Sequence, residues 1–166
     1  MRLLWTALPG ALILGFTLRE TFKDLFHPTR TGALSDYYGR RFFRVLRRWP
    51  ATLSMAGPLT LVAVILSWAL LQAIGFALIY LAGFPGNFEI SKGPADFPHG
   101  VWAMLYFSLQ VMTTLGLGDL TPKADWLRIL VTLQALTGLA LVTASVSWVV
   151  LLYPALGRMR TLALSI

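Results

Sequence analysis

The chain has 166 residues, 57% of them hydrophobic and 13% charged, with a formal net charge of +7. A water-soluble domain carries about 25% charged residues, so this composition excludes a disordered chain, an ordinary nucleic-acid-binding domain and a water-soluble enzyme, and points to a single membrane-protein unit. There is no cysteine, which excludes disulfides and thiolate chemistry; with His27 and His99 far apart, no Ser/His/Asp set, metal cluster or carboxylate pair emerges, and the chain reads as a non-enzyme.

The first apolar stretch, Leu3 to Leu18, is broken by Pro9 and Gly10. At 1.5 Å per residue it reaches ~24 Å, marginal for a ~30 Å hydrocarbon core. It reads as an N-terminal transmembrane helix over 1–18, with a kink open at Pro9. A signal peptide is disfavoured because no small-x-small cleavage site follows. Next comes a basic segment, 19–56, with eight basic residues against Glu20, Asp24 and Asp36. Within it, Tyr37 to Trp49 reads YYGRRFFRVLRRW and sets Arg40, Arg41, Arg44, Arg47 and Arg48 at helical spacing. Two readings stay open: an amphipathic helix lying on anionic lipid headgroups, or a plain positive flank. A nucleic-acid partner is not expected, because these charges already serve topology.

Leu59 to Ala82 holds no charge. Gly57-Pro58 opens it and Gly83, Pro85 and Gly86 close it, which predicts a spanning helix over 57–83. Leu127 to Tyr153 carries only Arg128; Pro154 and Gly157 are expected to end that helix, 126–153, leaving a short tail, 154–166, with no ligand-binding domain. Basic residues cluster in 19–56 and in the tail (Arg158, Arg160), whereas Gly83 to Trp126 is net acidic. The positive-inside rule puts the basic segment and tail in the cytoplasm, and the 83–126 region and the N-terminus outside. No helix carries arginine at every third position inside a span, so voltage sensing is not expected.

Between the two long stretches, Val101 to Met112 is apolar but too short to span. With Asp96 and Pro98 as start signals, a helix over 98–112 is predicted. The next residues, Thr114 to Gly118, cover at most ~16–18 Å when extended. This suits a loop that descends as a helix and returns as extended chain. Non-helical backbone at membrane depth is tolerated only inside protein or along a water-filled path.

Tyr106-Phe107-Ser108, then Thr113-Thr114-Leu115-Gly116-Leu117-Gly118-Asp119, then Thr121-Pro122 resembles the pore loop of potassium channels, with its T-V-G-Y-G-D filter. The order outer helix, pore helix, filter, inner helix is also similar, from Leu59 to Tyr153. The first helix and basic segment resemble those of small bacterial members with an extra N-terminal helix. The resemblance implies an all-α membrane protein: three transmembrane helices plus a re-entrant pore helix and an extended filter, four copies surrounding a central pore. It makes Thr113 to Asp119 the selectivity filter, with K⁺ held through Thr114, Leu115, Gly116 and Leu117. Tyr106 and Gln110 become filter supports, and Gly138 an inner-helix hinge or a close-packing glycine. The implied function is a K⁺-selective channel of the cell membrane, with a weakly selective cation channel and a non-conducting scaffold or accessory subunit as alternatives. Its expected partners are its own copies and anionic lipids, with no small-molecule substrate and no cofactor beyond permeant K⁺.

The chemistry has a physical basis. A potassium ion sheds water in a narrow pore, and backbone carbonyls can replace that shell. Carbonyls point one way when alternate residues take φ > 0, which glycine permits. Gly116 and Gly118 have that spacing. The chain departs from the pattern at Leu115, which stands for Val and is branched differently, and at Leu117, which stands for Tyr and cannot hydrogen-bond. Gln110 stands where related channels can have a carboxylate, and its amide can still donate to Asp119. Thr137, Thr143, Ser145 and Ser147 either line a cavity or bond back to their own helix, the commoner behaviour.

Overall fold

The computed structural model describes residues 2–26, 33–46, 56–91 and 99–164. They form α1 (Arg2–Phe26), α2 (Ala33–Leu46), α3 (Ala56–Gly83), β1 (Phe88–Ile90), α4 (Val101–Met112), β2 (Leu120–Pro122) and α5 (Asp125–Leu164). The structure is mostly helical. Among the described residues, Leu59–Gly83 of α3 and Asp125–Ser147 of α5 are long and apolar enough to cross a membrane. α1 is also long, but its apolar run ends at Leu18 and charges occupy its last turns.

Element ends differ from the sequence expectation in four places. α1 continues past Leu18 to Phe26, because no breaker follows and Lys23 pairs with Glu20 at 3.2 Å one turn away. α2 begins at Ala33 rather than near Tyr37; Arg47, Arg48 and Trp49 lie outside the described residues, as does His27. α4 starts at Val101, since Gly100 sits at φ 61°, ψ −125°, outside helical space; the start signals Asp96 and Pro98 fall outside the described residues. α5 runs through Pro154 and Gly157 to Leu164. An interior proline costs about 3 kcal/mol, and here the helical runs on both sides outlast it.

The helices meet at small residues and aromatic rings. A Cβ on Gly10 would lie 2.6 Å from the Gly75 carbonyl oxygen and 2.9 Å from Ile79, and one on Gly75 would lie 2.8 Å from Leu14. As α1 ascends from 10 to 14, its partners on α3 descend from 79 to 75, so the two helices run antiparallel. Glycine at both positions lets the backbones touch. α2 is held on α3 by a 2.7 Å hydrogen bond between the hydroxyls of Tyr38 and Ser67, beside a buried group of Val64, Trp68 and Leu141.

The main core gathers Leu14, Phe76, Tyr80, Phe88, Met104, Phe107 and Leu127, one or more from each of α1, α3, β1, α4 and α5. Phe107 meets Tyr80 and Phe88 edge-on, each at 5.3 Å between ring centres; such pairs add about 0.5–1.5 kcal/mol beyond burial. β1 and β2 pair antiparallel in the register Phe88↔Pro122, Glu89↔Thr121, Ile90↔Leu120. This ribbon was not foreseen, because three-residue strands leave no periodicity to read. It ties the segment that follows α3 to the segment that precedes α5.

Candidate functional site

α4 enters the molecule from the end where α3 stops and α5 starts. Its Ser108 hydroxyl donates to the Ala73 carbonyl at 2.8 Å, and the Gln134 amide donates to the Ser108 hydroxyl at 2.7 Å and carbonyl at 3.0 Å. Ala73 lies ten residues before the end of α3 and Gln134 nine after the start of α5, so Ser108 sits ~14–15 Å deep by helical rise. The bottom of α4 touches Gly138: a Cβ there would lie 2.7 Å from the Met112 carbonyl and 2.9 Å from Met112 Cγ. Thus α4 ends ~20 Å down α5, less than the ~30 Å thickness of a hydrocarbon core. α5 is unbroken at Gly138, where the α4 and α5 backbones approach closely.

Tyr80 completes a buried polar chain by donating to Gln134 Oε1 at 2.6 Å. Tyr80, Ser108 and Gln134 are all 1% exposed or less. The chain links α3, α4 and α5 where water cannot compensate, so an unmade bond there is costly. Gln134 and Tyr80 were missed by sequence reasoning. An uncharged polar residue in the middle of an apolar span was the available signal.

After Met112 the backbone reverses. The amides of Thr113, Thr114 and Leu115 donate to the Leu109, Val111 and Gln110 carbonyls at 3.0, 3.1 and 2.9 Å. The Leu117 amide donates to Gln110 Oε1 at 3.1 Å. Positive φ recurs at every second residue: Thr114 at 56°, Gly116 at 53° and Gly118 at 73°. Glycine takes this conformation freely, but Thr114 is β-branched and strained by it. Its hydroxyl donates to its neighbour's carbonyl, Thr113, at 2.7 Å. The amides of Thr114, Leu115 and Leu117 all bond back to α4. Among the described residues no hydrogen bond falls on the carbonyls of 114, 115, 116 or 117.

Asp119 ends the loop and is buried. It accepts from Tyr106 Oη at 2.7 Å, Gln110 Nε2 at 3.2 Å and the Leu120 amide at 3.0 Å. Burial works against its charge, but the bonds from Tyr106, Gln110 and the backbone amides outweigh it and hold the carboxyl below the usual carboxylate value. Gln110 therefore grips the loop twice, at Leu117 and at Asp119. A carboxylate at 110 would need a proton to reach Asp119; the amide does not.

Sequence reasoning placed Tyr106, Gln110 and 113–119 together, and the structure brings them together. Leu115 and Leu117 are 61% and 59% exposed. The other candidates lie apart: Arg40, Arg41 and Arg44 are exposed on α2. Thr137, Thr143, Ser145 and Ser147 each bond back to a carbonyl of α5, at 2.7–3.0 Å. Ser91, which touches the end of the loop, was also missed; nothing in its sequence context marks it.

Two long apolar helices thus flank a short apolar helix and a loop with paired glycines. The family model described as "Ion channel" matches residues 63–152, more than half of the chain, and the chain belongs to that family. It is also 35% identical over 115 residues to the uncharacterized membrane protein YdjJ of Bacillus subtilis (strain 168). The overlap takes in 69% of this chain and 33% of that protein, so the chain spans about a third of that relative's length. No solved structure matches the chain.

Proposed function

We propose that the chain is the pore-forming subunit of a potassium-selective channel, four copies of which line one axis with the carbonyls of Thr114, Leu115, Gly116 and Leu117. The observation that carries this reading is the row of four successive carbonyls without hydrogen bonds, beside amides tied back to α4. In the single chain these residues are exposed and water can pair their carbonyls; once neighbouring copies enclose them, a carbonyl without a partner is costly unless something else coordinates it. A dehydrated cation does so, and a ring of such oxygens replaces its water. The C-terminal end of α4 adds partial negative charge at the inner mouth.

One chain supplies one wall, so the pore needs further copies, and closed cyclic symmetry supplies them. The exposed apolar face of α5, with Ile129, Leu133, Leu136, Val142, Val146 and Val150, is available for packing against neighbours or lipid. In the cell membrane, the charge distribution places the basic segment and the C-terminal end of α5 in the cytoplasm. α1, antiparallel to α3, is then a third span with its N-terminus outside. Arg40, Arg41 and Arg44 on α2 face anionic headgroups.

The test is purified protein in liposomes under bi-ionic K⁺/Na⁺ conditions. A reversal potential shifted by tens of millivolts toward K⁺ is the expected result. Absence of any flux, or a stable monomer in mild detergent, rejects the pore and favours a non-conducting scaffold. Leu117 favours a second reading, a weakly selective cation channel: its amide is held by Gln110, but its exposed side chain carries no polar group to brace the outer filter. Under that reading the reversal potential stays near zero, and Leu117→Tyr moves it toward K⁺.

A further inference from the structure

We infer that Ser91, from the external ribbon, is a positioning residue that closes the outer end of the carbonyl ladder at Leu117. This rests on the filter reading above and adds to it a residue outside the pore-loop motif.

Ser91 immediately follows β1 and makes two bonds to the end of the loop. Its amide donates to the Asp119 carbonyl at 3.0 Å, and its hydroxyl donates to the Gly118 carbonyl at 3.1 Å. Carbonyls 114–117 therefore carry no bond from the described residues, whereas the next two are both taken by one residue. The boundary falls between Leu117 and Gly118. A carbonyl held by a hydroxyl points at that hydroxyl, and its oxygen is turned toward the ribbon and away from the row below it.

The anchor behind Ser91 is firm. Ile90 pairs with Leu120, Phe88 is buried between Tyr80 and Phe107, and the Lys123 amide donates to the Asn87 carbonyl at 2.8 Å. So the hydroxyl is referenced to the aromatic core of the domain and not to a free loop. From the other side Gln110 holds the Leu117 amide at 3.1 Å. The outer filter is thus gripped on both flanks by polar groups from outside 113–119. Leu117 can only pack, and these two grips supply the fixed geometry that its side chain does not.

Gly118 adds a reason for the restraint. It sits at φ 73° with nothing within 4 Å of a Cβ position, so no packing against its Cα face restrains it. The Ser91 hydroxyl is the bond on its carbonyl, and without it the plane is held only from the Asp119 side.

The test uses full-length protein in liposomes, comparing wild type with Ser91→Ala and Ser91→Thr. Residue 91 is exposed, so both variants are expected to unfold thermally within a few degrees of wild type. Ser91→Ala should lower the K⁺/Na⁺ permeability ratio by roughly threefold or more, and Ser91→Thr, which keeps the hydroxyl, should restore it. A second measurement needs no conduction: amide hydrogen exchange of peptides covering 115–120 should be roughly fivefold faster in Ser91→Ala and normal in Ser91→Thr. Unchanged exchange in Ser91→Ala overturns the positioning role. Faster exchange with an unchanged permeability ratio overturns its part in selectivity. If wild type passes no ion, the filter reading fails, and exchange alone still decides whether Ser91 holds Gly118.

Discussion

Replacing Gln134 by methionine tests whether the buried polar chain holds α4 in place. Methionine is unbranched and of similar length, so the cavity stays filled, but three hydrogen bonds disappear: those to the Tyr80 hydroxyl, the Ser108 hydroxyl and the Ser108 carbonyl. The Ser108 bond to Ala73 survives. Measured side-chain bonds within membranes average about 0.6 kcal/mol, so three are worth about 2 kcal/mol. The orphaned Tyr80 hydroxyl, in a fully buried side chain, adds about 1–3 kcal/mol. The expected loss is therefore about 3–5 kcal/mol, a large share of a typical folding free energy of about 5–15 kcal/mol. For a chain of this size that lowers the thermal midpoint by roughly 6–20 °C. The assay is thermal unfolding in mild detergent, run as a double-mutant cycle with Tyr80→Phe. Alone, Tyr80→Phe strands Gln134 Oε1 and should cost about 1 kcal/mol; on the Gln134→Met background it should cost nothing or stabilise. A coupling below about 0.3 kcal/mol, or a midpoint shift within error for Gln134→Met, refutes the reasoning.

Other perturbations have signs set by the geometry. Gly116→Ala meets no atom within 4 Å, but its φ of 53° strains any side chain; it should cost about 1–2 kcal/mol and abolish K⁺ selectivity in the liposome assay while the protein still folds. Gly10→Val should push α1 off α3, because its Cβ would meet the Gly75 carbonyl at 2.6 Å; a drop of about 1–3 kcal/mol is expected, and a wild-type thermal midpoint would contradict the close approach. Asp119 has a lowered pKa, so the stability it contributes is fully present above the ordinary carboxylate value and is lost as pH falls through the lowered one. Thermal midpoints of wild type should hold through neutral and mildly acid pH and fall in strong acid more steeply than those of Asp119→Asn; parallel curves would remove Asp119 as the cause.

What the chain determined by itself was whatever rests on local composition and spacing. The charge-free run from Leu59 to Ala82 required a helix in an apolar setting, and α3 occupies it. The shortness of Val101–Met112, with paired glycines after it, required a half-depth helix followed by a non-helical return. Even the Gln110–Asp119 contact could be anticipated, since both residues belong to one compact motif. Helix ends were less legible. Pro154 reads as a stop, yet α5 passes through it, because one missing hydrogen bond is outvoted by helical turns on either side. Only the tertiary structure decided which residues far apart in sequence meet. Tyr80 and Gln134 lie 54 residues apart, Ser91 and Gly118 27 apart, and Gly10 and Gly75 touch across two helices. Positive φ at Thr114 belongs with them, since a β-branched residue takes that conformation only when its surroundings impose it. Periodicity reports a segment's preference for itself, whereas a hydrogen bond or a close approach between segments exists only once packing has brought its two halves together.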